Sequence, residues 1–143
     1  MATENKSIVR RLYEEVWNKR KLDLVDELIS PSHALHDANT PGSQIGPVAY
    51  KQQVVRLTKA FPDLHFEIHD MLAEGELVAF RSTMTGTHHG PFQGRPPTGK
   101  QVSVAHMHFV RLINGKASDL WHVWDTTGLM RQLGAAAPQP QAV

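Results

Sequence analysis

The chain contains no cysteine among its 143 residues. Disulfide bonds, thiolate nucleophiles and zinc sites built on cysteine are therefore excluded. This composition is compatible with the reducing environment of the cytoplasm.

Long apolar stretches are also missing from the sequence. No window approaches the roughly 18 uninterrupted apolar residues of a membrane-spanning helix. Residues 1–7 are polar, whereas a signal peptide needs an apolar segment near its start. We therefore expect a cytoplasmic protein with no membrane association.

The third feature that the sequence lacks is an excess of charge of one sign. Fifteen lysines and arginines are balanced by 14 aspartates and glutamates, which leaves a formal net charge of +1. The basic residues are scattered along the chain, whereas nucleic-acid binding depends on a clustered basic surface. We expect no nucleic-acid partner.

The length and the distribution of apolar residues indicate one domain. A chain of this size normally forms a single core. Residues 1–134 carry all the helical and strand patterns, whereas residues 135–143 contain two prolines and little to bury. We predict an α+β domain over residues 1–134, followed by a disordered tail over residues 135–143.

Helical patterns come early in the chain and strand patterns come late. Apolar spacing predicts helices over residues 3–19, 22–29, 47–60 and 128–133, and strands over residues 33–39, 64–73 and 77–87. A β-hairpin follows over residues 102–125. This order is typical of a curved antiparallel sheet wrapped over N-terminal helices, which leaves an internal pocket.

The hairpin is the most informative pattern. Asn114-Gly115 predicts its turn, because a type I′ turn needs positive φ at both central residues. Pairing that continues without interruption from this turn sets His108 opposite Trp121. His122 then lies on the other face of the hairpin, toward a partner subunit.

One face of this predicted hairpin gathers ionisable groups. His106, His108, Trp121 and Asp125 all lie on it, because side chains alternate along a strand. Buried ionisable groups are costly unless they are paired or used. This face is therefore where we expect chemistry.

Asp125 allows two interpretations. In an apolar pocket its carboxyl group could abstract an acidic C–H proton and return a proton to a carbonyl oxygen. Alternatively it caps the helix that follows, since Asp-Thr-Thr is a favourable helix start.

His106 and His108 also allow several interpretations. Either could orient Asp125, donate a hydrogen bond to an enolate, shuttle a proton or simply line the pocket. Two histidines one residue apart could also hold a metal ion, with His36 or Asp37 as a third ligand. Because the spacing fixes no third ligand, we predict no metal.

Further contacts to a substrate are expected from the walls and rim of the pocket. Arg81 either faces solvent or points inward toward an anionic oxygen, and we expect the inward orientation. The predicted substrate-binding residues are His36, Asp37, Arg81, Trp121, Tyr13 and Phe92.

Several local sequences carry a family resemblance. They are Phe61-Pro62-Asp63-Leu64, Thr85-Gly86-Thr87-His88 with Gly90-Pro91-Phe92, Pro96-Pro97-Thr98-Gly99-Lys100, and Trp121 to Asp125 followed by Gly128-Leu129. Together they resemble the SnoaL-like polyketide cyclases or ester cyclases, a branch of the nuclear transport factor 2-like superfamily.

The resemblance implies a cone-shaped α+β fold, a homodimer packed through its outer sheet faces, and an apolar pocket without a cofactor. Characterised members close a ring by intramolecular aldol condensation of a polyketide ester, with an aspartate as acid and base. That aspartate matches Asp125, and the implied substrate is a small apolar molecule with carbonyl groups. The same architecture also hosts isomerases, hydrolases and non-catalytic binding proteins, which remain alternatives.

Overall fold

The structure is a computed structural model that describes residues 2–37 and 44–134. Its helices are α1 (Ala2–Arg11), α2 (Val25–Leu28), α3 (Gly46–Ala60) and α4 (Thr126–Gln132), with a π-helical segment over Leu12–Trp17 and a 3₁₀ turn over Leu22–Leu24. Its strands are β1 (Ile29–Asp37), β2 (Gln44–Ile45), β3 (His65–Glu74), β4 (Leu77–Thr87), β5 (Gln101–Ile113) and β6 (Lys116–Trp124). The predicted disordered tail, residues 135–143, lies outside the described residues. Within residues 2–37 and 44–134, no helix has the length and apolar character needed to cross a membrane.

The six strands form one curved sheet in the order β2-β1-β6-β5-β4-β3. The α+β prediction is confirmed, but the sheet is mixed rather than antiparallel, because β1 runs parallel to β6. This pair joins segments about 85 residues apart in sequence, so no local turn signal reveals its direction. The parallel contact sets Asp37, at the end of β1, beside His122, near the end of β6.

The first predicted helix is continuous but changes its pitch. From Leu12 to Trp17 it becomes π-helical, and the backbone N–H of Asn18 donates to the carbonyl of Tyr13 at 3.0 Å, five residues back. The side chain of Asn18 then bonds both backbone groups of Phe66, at 2.9 and 2.7 Å. The wider turn and this anchor hold Tyr13 and Trp17 against the concave face of the sheet.

Helix α3 covers the other side of that face, and the chain segment after β4 packs against its end. The backbone N–H groups of His89 and Gly90 both donate to the carbonyl of Ala60 at 3.0 Å. A Cβ atom on Gly90 would lie 2.1 Å from the carbonyl oxygen of Lys59, so only glycine fits this approach. The contact carries the following residue pair, Pro91 and Phe92, toward the opening between α3 and the sheet.

The turn of the β5–β6 hairpin is confirmed, since Asn114 and Gly115 have φ values of +51° and +79°. Leu112 pairs with Ala117 as expected, but Arg111 then pairs with Asp119. Ser118 is therefore an extra residue in β6, which makes a β-bulge. Its hydroxyl group lies 3.3 Å from the carbonyl oxygen of Arg111 across the bulge.

The bulge reverses the predicted faces of β6. His108 pairs with His122 and His106 pairs with Trp124, so the predicted pairing of His108 with Trp121 is wrong. A shift of one residue moves every side chain beyond it to the opposite face of the sheet. Consequently the inner face gains a third histidine and loses Trp121.

One histidine of β1 is part of the core. His33 is 2% exposed and its ring packs edge-on against Tyr50, with ring centroids 5.6 Å apart. Burial lowers the pKa of His33 to about 4; the nearby Asp119 opposes this shift and His36 adds to it. The folded protein therefore holds this ring in its neutral form.

We expect this buried ring to make stability depend on pH. Because the unfolded chain protonates His33 near pH 6.5, it binds more protons than the folded state between about pH 6.5 and 4, and stability falls as the pH is lowered through that window. His33→Gln should reduce the difference in unfolding free energy between pH 7.5 and 5 by about 2 kcal/mol. Urea denaturation at both pH values measures this, with the exposed His65→Gln as the control that should change nothing.

Candidate active site

A cavity lies between the concave face of β5 and β6, the π-helical segment and α3. Its volume is about 180 Å³, larger than an engineered cavity of about 150 Å³ that admits benzene. Trp17, Phe66 and Trp124 supply much of its wall. Aromatic rings therefore form much of the wall, and the cavity is large enough for at least one ring of a ligand.

His108 lines this cavity and is held in place by two hydroxyl groups. Its Nδ1 atom lies 3.3 Å from the hydroxyl of Tyr13, and its Nε2 atom lies 3.0 Å from the hydroxyl of Ser82. The ring also stacks on Phe80, with centroids 4.2 Å apart. Burial lowers the pKa of His108 well below its usual value and raises that of Tyr13, so both groups are neutral.

His106 lies beside His108 with no such partners. Its ring is 5% exposed and lies nearly parallel to the ring of His108, with ring centroids 5.3 Å apart. Neither of its nitrogen atoms has a hydrogen-bond partner among the described residues. Burial lowers its pKa to about 3, an effect that the neighbouring His122 reinforces. An unpartnered buried polar group costs about 1–3 kcal/mol, so this ring is available to a ligand.

A buried carboxylate and a histidine meet at the side of the cavity. Asp37 and His122 are directly paired residues of β1 and β6, and both line the cavity. Their side chains are 3% and 8% exposed, and Nε2 of His122 lies 3.0 Å from Oδ2 of Asp37. The distance allows a strong charge interaction, although the ring is not aligned for a hydrogen bond. Asp37 supplies the only carboxylate among the described residues that line this cavity.

Other polar groups are arranged around the cavity opening. The indole N–H of Trp17 donates to the hydroxyl of Tyr50 at 2.7 Å, and burial raises the pKa of Tyr50. Gln53 and the exposed Arg56 line the solvent side from α3. Polarity thus increases from the aromatic wall toward solvent.

Five predicted site residues do meet at this cavity. They are Tyr13, Asp37, Phe92, His106 and His108. The structure brings them together from the π-helical segment, β1, the segment after β4, and β5. What each contributes to chemistry remains a prediction.

Asp125 lies elsewhere. The expectation that it faces the pocket is wrong, because the bulge at Ser118 shifts the end of β6. Asp125 is exposed, and its Oδ1 atom accepts a hydrogen bond from the backbone N–H of Gly128 at 2.8 Å. The geometry supports the capping interpretation.

Three other predicted contacts also lie outside the cavity. His36 stacks on Trp121, with ring centroids 4.9 Å apart, and its Nε2 atom lies 3.1 Å from Asp119. Arg81 forms an exposed ion pair with Asp70, because Phe80 and Ser82 take the inward positions of β4. The inward orientation expected for Arg81 is therefore wrong, as are the expected pocket positions of His36 and Trp121.

The prediction missed His122, Trp124 and Tyr50. The sequence did contain one indication of the bulge. With an uninterrupted register, two carboxylates, Asp119 and Asp125, would lie on the inner face while His122 and Trp124 faced outward. One extra residue in β6 removes that conflict. Tyr50 lies on the buried stripe of α3, which gives no sequence signal of its own.

Comparison with known proteins yields one family. The SnoaL-like polyketide cyclase model matches residues 7–133. Aklanonic acid methyl ester cyclase DauD of Streptomyces sp. (strain C5) is 33% identical over 141 residues, which cover 94% of this chain and 84% of that protein. The nogalonic acid methyl ester cyclase of Streptomyces nogalater is 29% identical over 126 residues, which cover 87% of this chain and 94% of that protein.

Solved structures give a similar result. A protein of Jannaschia sp. CCS1, described as a SnoaL-like polyketide cyclase, superposes with a TM-score of 0.86 at 25% sequence identity. The match covers 94% of both chains. The likeness therefore extends over nearly the whole fold and includes the elements that form the cavity.

The two interpretations of Asp125 make different predictions. If this residue caps α4, Asp125→Ala should lower the free energy of unfolding by about 1 kcal/mol. Asp125→Asn should keep both the cap and the binding of ligands in the cavity, since asparagine caps equally well. Urea denaturation and ligand titration of both variants measure this. Loss of cavity binding in the asparagine variant would contradict the capping role.

Proposed function

The chain belongs to the SnoaL-like polyketide cyclase family, and we propose that it closes a ring in a polyketide ester by acid/base chemistry that needs no cofactor. The substrate class follows from the relatives, which are named as cyclases of aklanonic acid and nogalonic acid methyl esters. An aromatic, apolar cavity suits a small substrate of this kind that carries carbonyl groups.

The observation that carries the proposal is the contact between Asp37 and His122. A general base must reach the substrate, and both side chains line the cavity. The carboxylate lies 3.0 Å from the ring nitrogen, so it stabilises the imidazolium that forms when His122 takes a proton. The pair therefore takes the place of the single aspartate that the resemblance implied.

The reaction balances without a further reagent. His122 removes a proton from a carbon next to a carbonyl group, and the resulting enolate carbon bonds to a second carbonyl carbon of the same molecule. The new alkoxide oxygen then takes the proton back from His122. The product is an isomer of the substrate, so neither an oxidant nor a reductant is needed.

Two other cavity residues, Tyr13 and His108, stabilise the negatively charged oxygen that forms during this reaction. Tyr13 keeps its proton because burial raises its pKa, so its hydroxyl can donate to a developing oxyanion. Nδ1 of His108 lies 3.3 Å from that hydroxyl and keeps it in position. Fixed donors in a water-poor cavity stabilise such charge more than solvent does.

We expect Asp37→Asn and His122→Gln to lower kcat on a polyketide methyl ester by about 10²- to 10⁴-fold, because each removes part of the general base. Ligand affinity should change far less, since the cavity wall stays intact. Steady-state turnover together with ligand titration separates the two effects. Asp125→Asn is the matched control, because it changes an aspartate outside the cavity in the same way.

Two results would contradict this proposal. One is an Asp37→Asn variant with the turnover of the parent protein. The other is a parent protein that binds polyketide methyl esters in the cavity and converts none of them. The second result would favour a binding protein with the same fold.

We also propose that two copies pair through the outer face of the sheet. Met107, Phe109 and Val123 are each more than half exposed there. Met107 and Val123 are directly paired, and Phe109 lies across from Trp121, so these side chains form one continuous patch. Contiguous exposed apolar side chains on a soluble protein commonly mark an interface.

We expect Val123→Asp to convert a dimer into a monomer, because it sets a charge within that apolar patch. Sedimentation velocity at micromolar concentrations measures the change in mass. Val48→Asp, which alters an equally exposed valine on α3, should leave the dimer intact. A monomeric parent protein under these conditions would exclude the proposed pairing.

A further inference from the structure

The three cavity histidines also have the arrangement of a metal site. We propose that His106, His108 and His122 together bind one divalent transition-metal ion, such as Zn²⁺, and that the bound ion inhibits ring closure. The binding does not depend on the proposed function. The inhibition does, because it assumes that His122 is the base.

The positions of the rings support this site. One nitrogen atom from each ring lies within 4.8 Å of the other two. Zinc–imidazole bonds of about 2.0–2.1 Å in a tetrahedral site set nitrogen atoms about 3.3 Å apart. The three atoms therefore need to approach one another by at most about 1.5 Å, a movement that side-chain torsions can supply.

Backbone pairing brings the three rings to one place. His106 and His108 are one residue apart on β5 and face the same side, and His122 of β6 is the direct partner of His108. The bulge at Ser118 is what turns His122 inward. His122 is therefore the third ligand, which the spacing of residues in the sequence could not identify.

The ring nitrogens can be made available at low cost. Both nitrogens of His106 are buried and have no hydrogen-bond partner within the described ranges. His108 would exchange one bond, to Tyr13 or to Ser82, for the ion. This exchange gives up a single neutral hydrogen bond. Imidazole is also a preferred ligand of zinc, copper, nickel and cobalt.

A buried dication needs a negative charge nearby. Asp37 provides one, since its carboxylate lies 3.0 Å from the ring of His122. A carboxylate next to a ligating histidine is a common arrangement around protein-bound zinc, where it orients the ring and raises its basicity. The ion would occupy the lone pair that His122 needs to accept a proton.

Direct metal titration tests the site. Tag-free protein is dialysed against EDTA and then into metal-free buffer, and Zn²⁺ binding is measured by calorimetry and Co²⁺ binding by visible absorption. We expect one ion per chain with saturation at micromolar concentrations. His106→Gln and His122→Gln should each weaken binding at least about tenfold, as loss of groups at a metal site does. His65→Gln and His89→Gln, which alter exposed histidines outside the cavity, should not change it.

Several outcomes would overturn the inference. They are no saturable binding of either ion below millimolar concentration, equal affinity in the His106→Gln variant, and full turnover with one Zn²⁺ bound per chain. Turnover measured in excess EDTA separates this inference from the proposed function. Turnover without metal binding would refute the metal site but not the proposed function. Stoichiometric metal binding without any turnover would refute the proposed function but not the metal site.

Discussion

The composition of the cavity depends on one extra residue in β6. Because Ser118 has no partner on β5, each later residue of β6 faces the opposite side from the one that a regular hairpin would give it. His122 and Trp124 face inward for this reason, and Asp125 reaches the start of α4 instead of the pocket. Without the bulge the cavity would have two histidines, no contact from β6 to Asp37, and a charged residue in its wall.

Burial then determines which forms these side chains adopt. Desolvation holds His106 and His108 neutral, with the pKa of His106 near 3. A cavity of neutral rings tolerates an apolar substrate, but by itself it opposes the cation that forms on a histidine base. Asp37 opposes this effect at His106, and its carboxylate lies 3.0 Å from the ring nitrogen of His122. Of the three histidines, His122 is the one whose ring contacts Asp37 directly.

Local signals predicted most of the fold. The Asn114-Gly115 turn, the strand over residues 77–87 and the helix that follows Gly46 each depend on nearby residues, and each was predicted within about a residue. The parallel pairing of β1 with β6 depends on contacts between distant segments, and the bulge depends on how both faces of the hairpin pack. The parallel pairing leaves no periodic trace, and the bulge is indicated only by the two carboxylates that a regular hairpin would set on its inner face. The assignment of Asp125 to the pocket failed for this reason.

Several residues of the motifs that reveal the family hold the backbone together. Asp63 accepts hydrogen bonds from the backbone and the hydroxyl of Thr87, at 2.6 and 2.7 Å. Asp125 caps α4, and a Cβ atom on Gly128 would lie 2.1 Å from its carboxylate. These spacings maintain turns and helix starts whatever molecule enters the cavity. His122 belongs to one of these motifs but lines the cavity together with Asp37, so substrate and mechanism must be determined from these two residues.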